Sequence, residues 1–312
     1  MRTSTRHTKL TTAILAVALL AAWCVLPALA QDQAPPPAQA EAPPPPDQGP
    51  PPSYSSDQLD KLVSRVALYP DSLLAQVLAA AGFPDQIPDA AKWADEHHYL
   101  TGDALAQAIT DDHLPWDPSV QALLPFPSVL DTMASDMDWT QNLGNAFLAQ
   151  RQDVMDAVQR MRQKAKDYGY LRSNDQVVVN TAGPYIDIDP VNPGFIWVPA
   201  YDPLVVFWPP HPGFFVGGAI GWGFGINLGV AFAPWGWGAI RFDWGGHGLF
   251  IGGAPWGRSW ANRRFYVHPG YAGVHRWGPA PRVEGHRLIR RDEGERRAAR
   301  EGRARPAERH HR

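Results

Sequence analysis

The chain has 312 residues, 45% hydrophobic and 19% charged, and its single cysteine excludes a disulfide framework, a zinc ribbon and any C-x-x-C redox motif. Its 28 glycines and 32 prolines exceed ordinary usage and are gathered in particular segments, so the whole length does not read as foldable. The net charge of −3 hides a polarity: residues 31–200 hold 23 acids against nine bases, 201–281 two acids against five bases, and 282–312 six acids against 11 arginines. An acidic body with a basic end speaks to partners and solubility rather than to fold.

Residues 1–30 read as a secretory signal peptide. Arg2, Arg6 and Lys9 make a positive start, Ile14 to Leu26 is an uncharged apolar run, and Ala28-Leu29-Ala30 offers small residues for cleavage before Gln31. The run is short for a spanning helix, and the bulky Trp23 before Cys24 argues against a lipid-modified cysteine. Cleavage would remove Cys24, leaving no thiol and no cysteine catalysis. Residues 31–55 then carry ten prolines and predict a semi-rigid, solvated polyproline spacer.

Residues 56–172 predict helices. Ser55 and Gln58 fit a capping box, with Leu59, Leu62, Val63 and Val66 on one face. Pro70 opens a second helix that Gly82 ends, short helices follow at about 86–97 and 102–111, and Asp117-Pro118 starts another. Asp138 and Gln141 cap a long helix over about 139–167, with Trp139, Leu143, Phe147, Val154, Val158, Met161 and Ala165 along its apolar side. The period then changes. Val177–Asn180, Tyr185–Asp189, Phe195–Val198 and Leu204–Trp208 are β-branched and aromatic runs between turn signals, predicting a small antiparallel sheet within 173–208. The fold class is therefore mainly α: a multi-helix domain followed by a small antiparallel β-sheet. Residues 209–281 form a Gly/Trp-rich apolar segment with seven of the 13 tryptophans, and 282–312 an arginine-rich tail too poor in apolar residues to fold alone.

Several blocks stand out in the helical and strand segments: Val66-Ala67-Leu68-Tyr69-Pro70-Asp71 with Leu73-Leu74-Ala75, and Pro115-Trp116-Asp117-Pro118-Ser119-Val120. Further blocks are Asp138-Trp139-Thr140 with Leu143-Gly144-Asn145-Ala146-Phe147, and Val198-Pro199-Ala200-Tyr201-Asp202-Pro203. On these blocks the chain resembles a bacterial family, domain-of-unknown-function family 3300, and the resemblance covers about residues 56–208. It implies an exported bacterial envelope protein with a variable C-terminus, and it brings no catalytic residues.

The most regular pattern is Gly213, Gly217, Gly221, Gly225 and Gly229, four residues apart in an uncharged stretch. On a helix these glycines would align as a stripe that lets another backbone approach, and the stretch is long enough to cross a ~30 Å hydrocarbon layer. In water each glycine weakens a helix by about 1 kcal/mol, so that helix makes sense in lipid or against a partner. The competing reading is loops and weak hairpins, which the alternation around Trp235-Gly236-Trp237 favours. Trp222, Trp235 and Trp237 join the glycines as candidate membrane or partner contacts. Their rings could equally stack on sugars of a cell-wall polysaccharide.

Arg287, Arg290, Arg291, Arg296 and Arg297 are candidate contacts to an anionic surface, each basic residue being worth about 1 kcal/mol there. The histidines lack metal-ligand spacing, with His97 and His98 adjacent, so no metal is expected. Asp187 and Asp189 share a strand face but read more simply as a solvated edge. No catalytic motif is present, and no cofactor or catalytic residue is assigned. The expected role is an exported, periplasmic or envelope-associated, non-enzymatic protein that contacts a membrane surface or an envelope protein. Binding of a cell-wall polysaccharide is the alternative, a hydrolase the third reading. Export makes nucleic acid an unexpected partner.

Overall fold

The structure, a computed structural model, describes residues 50–211, 213, 216–261 and 263. The expected signal peptide, most of the proline-rich spacer and the arginine-rich tail, with Arg287, Arg290, Arg291, Arg296 and Arg297, lie outside the described residues. All described residues fall in a single compact unit.

Helix starts follow local chemistry. In α1 (Ser56–Val63) the Ser55 hydroxyl accepts from the Gln58 amide while the Gln58 side chain accepts from the Ser55 amide, the expected capping box. α2 (Asp71–Ala80) follows Pro70 and is buried on nearly every face, which makes it the central helix of the bundle. Around it lie α3 (Ile87–Glu96), α4 (Gly102–Asp111) and α5 (Pro118–Gln121), whose cap is Asp117 accepting from Ser119 N at 2.9 Å. α6 (Pro127–Ser135), opened by a first-turn proline, is an element the sequence pattern did not announce. α7 (Met137–Ala149) is capped by Asp136, two residues before the expected Asp138, and α8 (Arg151–Asp167) follows.

The single helix expected over 139–167 is therefore two. The chain leaves helical geometry at Gln150 (φ −125°, ψ 40°). Its buried side chain there accepts from Tyr54 N at 2.6 Å and donates to Tyr54 O at 3.2 Å, tying the break to the segment entering α1. The apolar stripe survives the break because both helices pack into one core, α1 against α7 and α8, and α2 against α5 and α7. At the α2–α7 crossing a Cβ on Gly144 would overlap the carbonyl of Ala81, so only glycine lets the two backbones meet.

The strands are β1 (Val177–Ala182), β2 (Tyr185–Pro190), β3 (Phe195–Ile196), β4 (Pro199–Tyr201), β5 (Ile220–Trp222), β6 (Ile226–Asn227), β7 (Arg241–Asp243), β8 (Gly248–Ile251) and β9 (Ala254–Pro255). β1 and β2 form a hairpin in register from Val177 opposite Pro190 to Ala182 opposite Tyr185. β7, β8 and β9 form a three-stranded antiparallel meander. The strand expected at Leu204–Trp208 is instead helical: Asp202 accepts from Leu204 N at 2.8 Å and caps the short α9 (Pro203–Val206).

The expected boundary after residue 208 does not separate two bodies. β3 pairs with β6, and β4 with β5, so strands before 208 are completed by strands after it. Phe232, Trp237, Trp244 and Leu249 belong to the same buried cluster as the helices. The glycine-striped helix is also absent: Gly217 lies in a 3-10 turn, Gly221 in β5, and Gly213 and Gly229 have φ of +85° and +53°. Glycine density makes that helix weak, and β3 and β4 offer ready backbone partners, so the hairpin-and-loop reading holds. Among the described residues no helix is long and apolar enough to cross a membrane.

Replacing Gly144 with alanine forces the α2–α7 crossing apart and is expected to cost about 1–3 kcal/mol, read as a lower urea midpoint with an unchanged denaturant slope.

Candidate functional site

The site begins with a charge inside the core. Arg162 lies on the apolar side of α8 and is 0% exposed. Its Nε donates to Ala67 O at 2.8 Å, Nη2 to Tyr69 O at 3.0 Å and Nη1 to Ile186 O at 2.8 Å, and Nη1 also meets Asp71 Oδ1 at 2.6 Å. The Trp244 ring covers the guanidinium at 5.1 Å. Gln159, one turn earlier, exchanges two hydrogen bonds with Ile186 as a strand residue would, and Asp71 accepts from Ile188 N at 3.3 Å. The edge of β2 that β1 leaves unpaired is thus satisfied by side chains.

Above this clamp opens a cleft of about 490 Å³ lined by Asp71, Ser72, Asp187, Asp189, Trp237 and Phe242, among others. Asp187 accepts from Trp244 Nε1 at 2.7 Å, and Trp244 stacks on Phe242 at 4.3 Å between centroids. Burial pushes the Asp71 carboxyl up to about 6 against the pull of Arg162, and the charge of Asp187 adds to the rise. Asp189 is also raised, by burial and then by Asp187, with Asn180 opposing. Asp187 and Asp189 share one face of β2, as expected, and both line the cleft, Asp187 half-buried and Asp189 exposed. Among the described residues no group of three or more His, Cys, Asp or Glu is placed to hold a metal ion. His97 stacks on Trp93 at 3.9 Å.

The tryptophans nominated as outward contacts have core duties. Trp237 is buried and donates to Ala122 O at 3.2 Å, Trp235 donates to Gln121 Oε1 at 2.8 Å, and Trp222 is half-buried in β5 opposite Pro199. Gly225 lies under the Trp197 ring, where a Cβ would come within 2.7 Å of it. These residues help build the body, while Gly213, Gly217, Gly221 and Gly229 are exposed and Gly229 and Trp237 line the cleft. The large apolar side chains left in water are others: Leu204 is 78% exposed, Trp208 62%, Phe224 98% and Val230 90%, with Tyr99 and Val191 exposed elsewhere. Leu204 and Trp208 follow β4 through α9. Phe224 follows β5 and, with Pro203, Val198 and Arg65, lines a groove of about 620 Å³ across the β4–β5 ribbon.

Neither Asp71 nor Arg162 follows from a catalytic or binding motif. Asp71 ends the Val66–Asp71 segment that carries the family resemblance. Arg162, spaced four residues from Val158 and three from Ala165, falls within the apolar stripe, and a charge in that position was the available signal.

Fold and site together define a mainly helical domain whose small antiparallel sheets are clipped to the bundle by buried polar side chains. The chain belongs to the family described as "Protein of unknown function (DUF3300)", which matches residues 55–253. That span runs from the cap of α1 to the turn after β8, so the Gly/Trp-rich part lies largely within the family's domain. The chain is similar to the "Uncharacterized protein YacH" of Escherichia coli (strain K12), 36% identical over 224 residues. The match takes 57% of this chain and 36% of the relative, so the chain spans about a third of that protein's length. No solved structure matches.

Arg162→Met takes from Asp71 its ion-pair partner and from the carbonyls of Ala67 and Tyr69 their guanidinium donor, while Ile186 O keeps Gln159, and is expected to cost about 3–5 kcal/mol of unfolding free energy in urea denaturation. The pH dependence follows from Asp71. Its folded pKa of about 6 lies above the ordinary 3.8, so its contribution is full below 3.8 and is lost as pH rises through 6. Asp71→Asn should flatten the fall in stability over that interval, measured as urea midpoints at stepped pH.

Proposed function

We propose that this protein is an exported, non-enzymatic envelope protein that rests the apolar side chains beside its β4–β5 ribbon on a membrane surface. One observation carries the reading: Leu204 and Trp208, which follow β4, and Phe224, which follows β5, stand 62–98% exposed while neighbouring aromatics are covered. Burying one such side chain in an apolar medium is worth about 1.5–3 kcal/mol, so a few of them suit reversible contact rather than insertion. The part of the chain that carries them, residues 201–281, has five bases against two acids, the reverse of the acidic body, which favours a negatively charged surface. Tryptophan at such a contact matches its preference for the bilayer interface. Export rests on the apolar run and A-x-A pattern of residues 1–30.

Binding of a cell-wall polysaccharide is the second reading, favoured by the cleft in which Asp187 and Asp189 accompany Trp237 and Phe242. It makes retention on purified peptidoglycan depend on Asp189 and Phe242.

The first reading is tested by co-sedimenting the mature full chain with phosphatidylcholine vesicles containing phosphatidylglycerol. The combined Leu204→Ser, Trp208→Ser and Phe224→Ser variant is expected to bind at least about tenfold more weakly, with an unchanged melting temperature. Equal binding by variant and parent removes the proposal.

A further inference from the structure

Three arginines meet at or beside the junction of α7 and α8. Arg151 is the first residue of α8, and Arg258 and Arg263 come from the stretch after β9. The Arg151 guanidinium lies 4.9 Å over the Trp256 ring and 5.2 Å from that of Phe147, and its Nη2 donates to Arg258 O at 2.6 Å. The Arg258 guanidinium sits 3.9 Å over Phe83. Arg263 Nε donates to Ala149 O at 3.3 Å and Trp260 N to Leu148 O at 3.0 Å, so the last carbonyls of α7 hold this stretch against the junction.

The positive charge there is not balanced by the described residues. Arg65, Arg160, Arg162 and Lys164 each pair with an aspartate. Among the described residues no carboxylate forms an ion pair with Arg151, Arg258 or Arg263, and the Arg151 Nε is buried without a hydrogen-bond partner. The end of α7 and the start of α8 contribute roughly half a charge each, of opposite sign, and cancel. Asp153, buried in the first turn of α8, accepts from Gln150 Nε2 at 3.2 Å. An excess remains, and it is felt: burial, and then the charge of Arg263, lower the pKa of Arg151.

We propose that Arg151, Arg258 and Arg263 form an anion site that takes a phosphate group as a mono- or diester. Planar guanidinium forks match phosphate oxygens in pairs, and three of them offer more donors than a carboxylate can accept. Arg151 is held in place by two rings and two carbonyls, whereas Arg258 and Arg263 are exposed and reachable. The flanking Trp256 and Phe83 give the apolar walls that an organic ester would lie against. The phosphate can come from a phospholipid headgroup or from a soluble ester. The site owes nothing to the apolar side chains beside the β4–β5 ribbon.

The experiment uses the mature full chain at constant ionic strength. Inorganic phosphate and glycerol 3-phosphate are titrated calorimetrically, and phosphatidylglycerol vesicles are tested by co-sedimentation. The Arg258→Gln, Arg263→Gln double variant, which alters exposed side chains only, is expected to weaken the binding seen with the parent at least about tenfold. Loss of binding confined to the soluble probes assigns a soluble ester, and loss at the vesicles assigns a lipid headgroup. The Leu204, Trp208 and Phe224 serine variant should keep its affinity for inorganic phosphate, which separates failure of this site from failure of the apolar contact. No binding in any arm, or binding unchanged in the double variant, overturns the proposal.

Discussion

The structure depends on one buried guanidinium. Removing Arg162 from water costs several kcal/mol, and the protein offsets this by surrounding it with acceptors: the carbonyls of Ala67, Tyr69 and Ile186 and the carboxylate of Asp71. Two of those carbonyls and the carboxylate lie in the segment Val66–Asp71, between α1 and α2. That turn is buried, so its polar backbone must find partners inside the protein. Arg162 serves it from α8. From β4, Tyr201 serves it as well, donating to Ser64 O at 2.9 Å and accepting from Leu68 N at 3.4 Å. Pro70 needs no partner for an amide it lacks. The motif ending in Pro70-Asp71 and the one containing Tyr201 are thus two sides of one contact, 130 or so residues apart in the chain.

The same clamp explains why the small sheets stay on the bundle. β1 and β2 make an isolated hairpin by strand pairing alone, and a two-stranded hairpin is marginal in water. Gln159, Arg162 and Asp71 act as its missing third strand, and Trp244 from beyond β7 closes over the guanidinium. The meander of β7, β8 and β9 is thereby fixed to α8, and His247 adds a contact to Asp156 at 3.0 Å. A single side chain therefore couples helices, hairpin and the Gly/Trp-rich part.

Local signals were legible in the sequence and nonlocal ones were not. The Ser55 and Asp117 caps and the β1–β2 hairpin lie where residue chemistry places them, because each is decided within a few residues. The break at Gln150 is decided by Tyr54, 96 positions away, and no periodicity records it. β5 and β6 are two or three residues long, too short for alternation to show. The glycine spacing of four was real but served separate ends: positive φ at Gly213 and Gly229, a ring overhead at Gly225. Of the candidate site, Asp187 and Asp189 were legible as a pair because sharing a strand face is a local property, and Trp237 and Gly229 stood out by composition and spacing. The cleft around them is not.

The Gly/Trp composition has a physical purpose that also bears on function. Short strands bury little area per residue, and large indole rings make up the deficit, each securing its N–H: Trp235 on Gln121, Trp237 on Ala122, Trp244 on Asp187. Glycine supplies the close approaches beneath them. Against that rule, Trp208 and Phe224 are anomalies, aromatic residues of the same region with nothing over them. A net negative chain is no obstacle to a contact with anions, since at physiological salt charges beyond about 8 Å are largely screened. What a surface meets is the local balance, and there the cations of α8 facing Asp60 and Asp71 are neutralised while Arg258 and Arg263 have no ion-pair partner among the described residues. The residues left unsatisfied by the fold, apolar in one place and cationic in another, are the ones with capacity to bind.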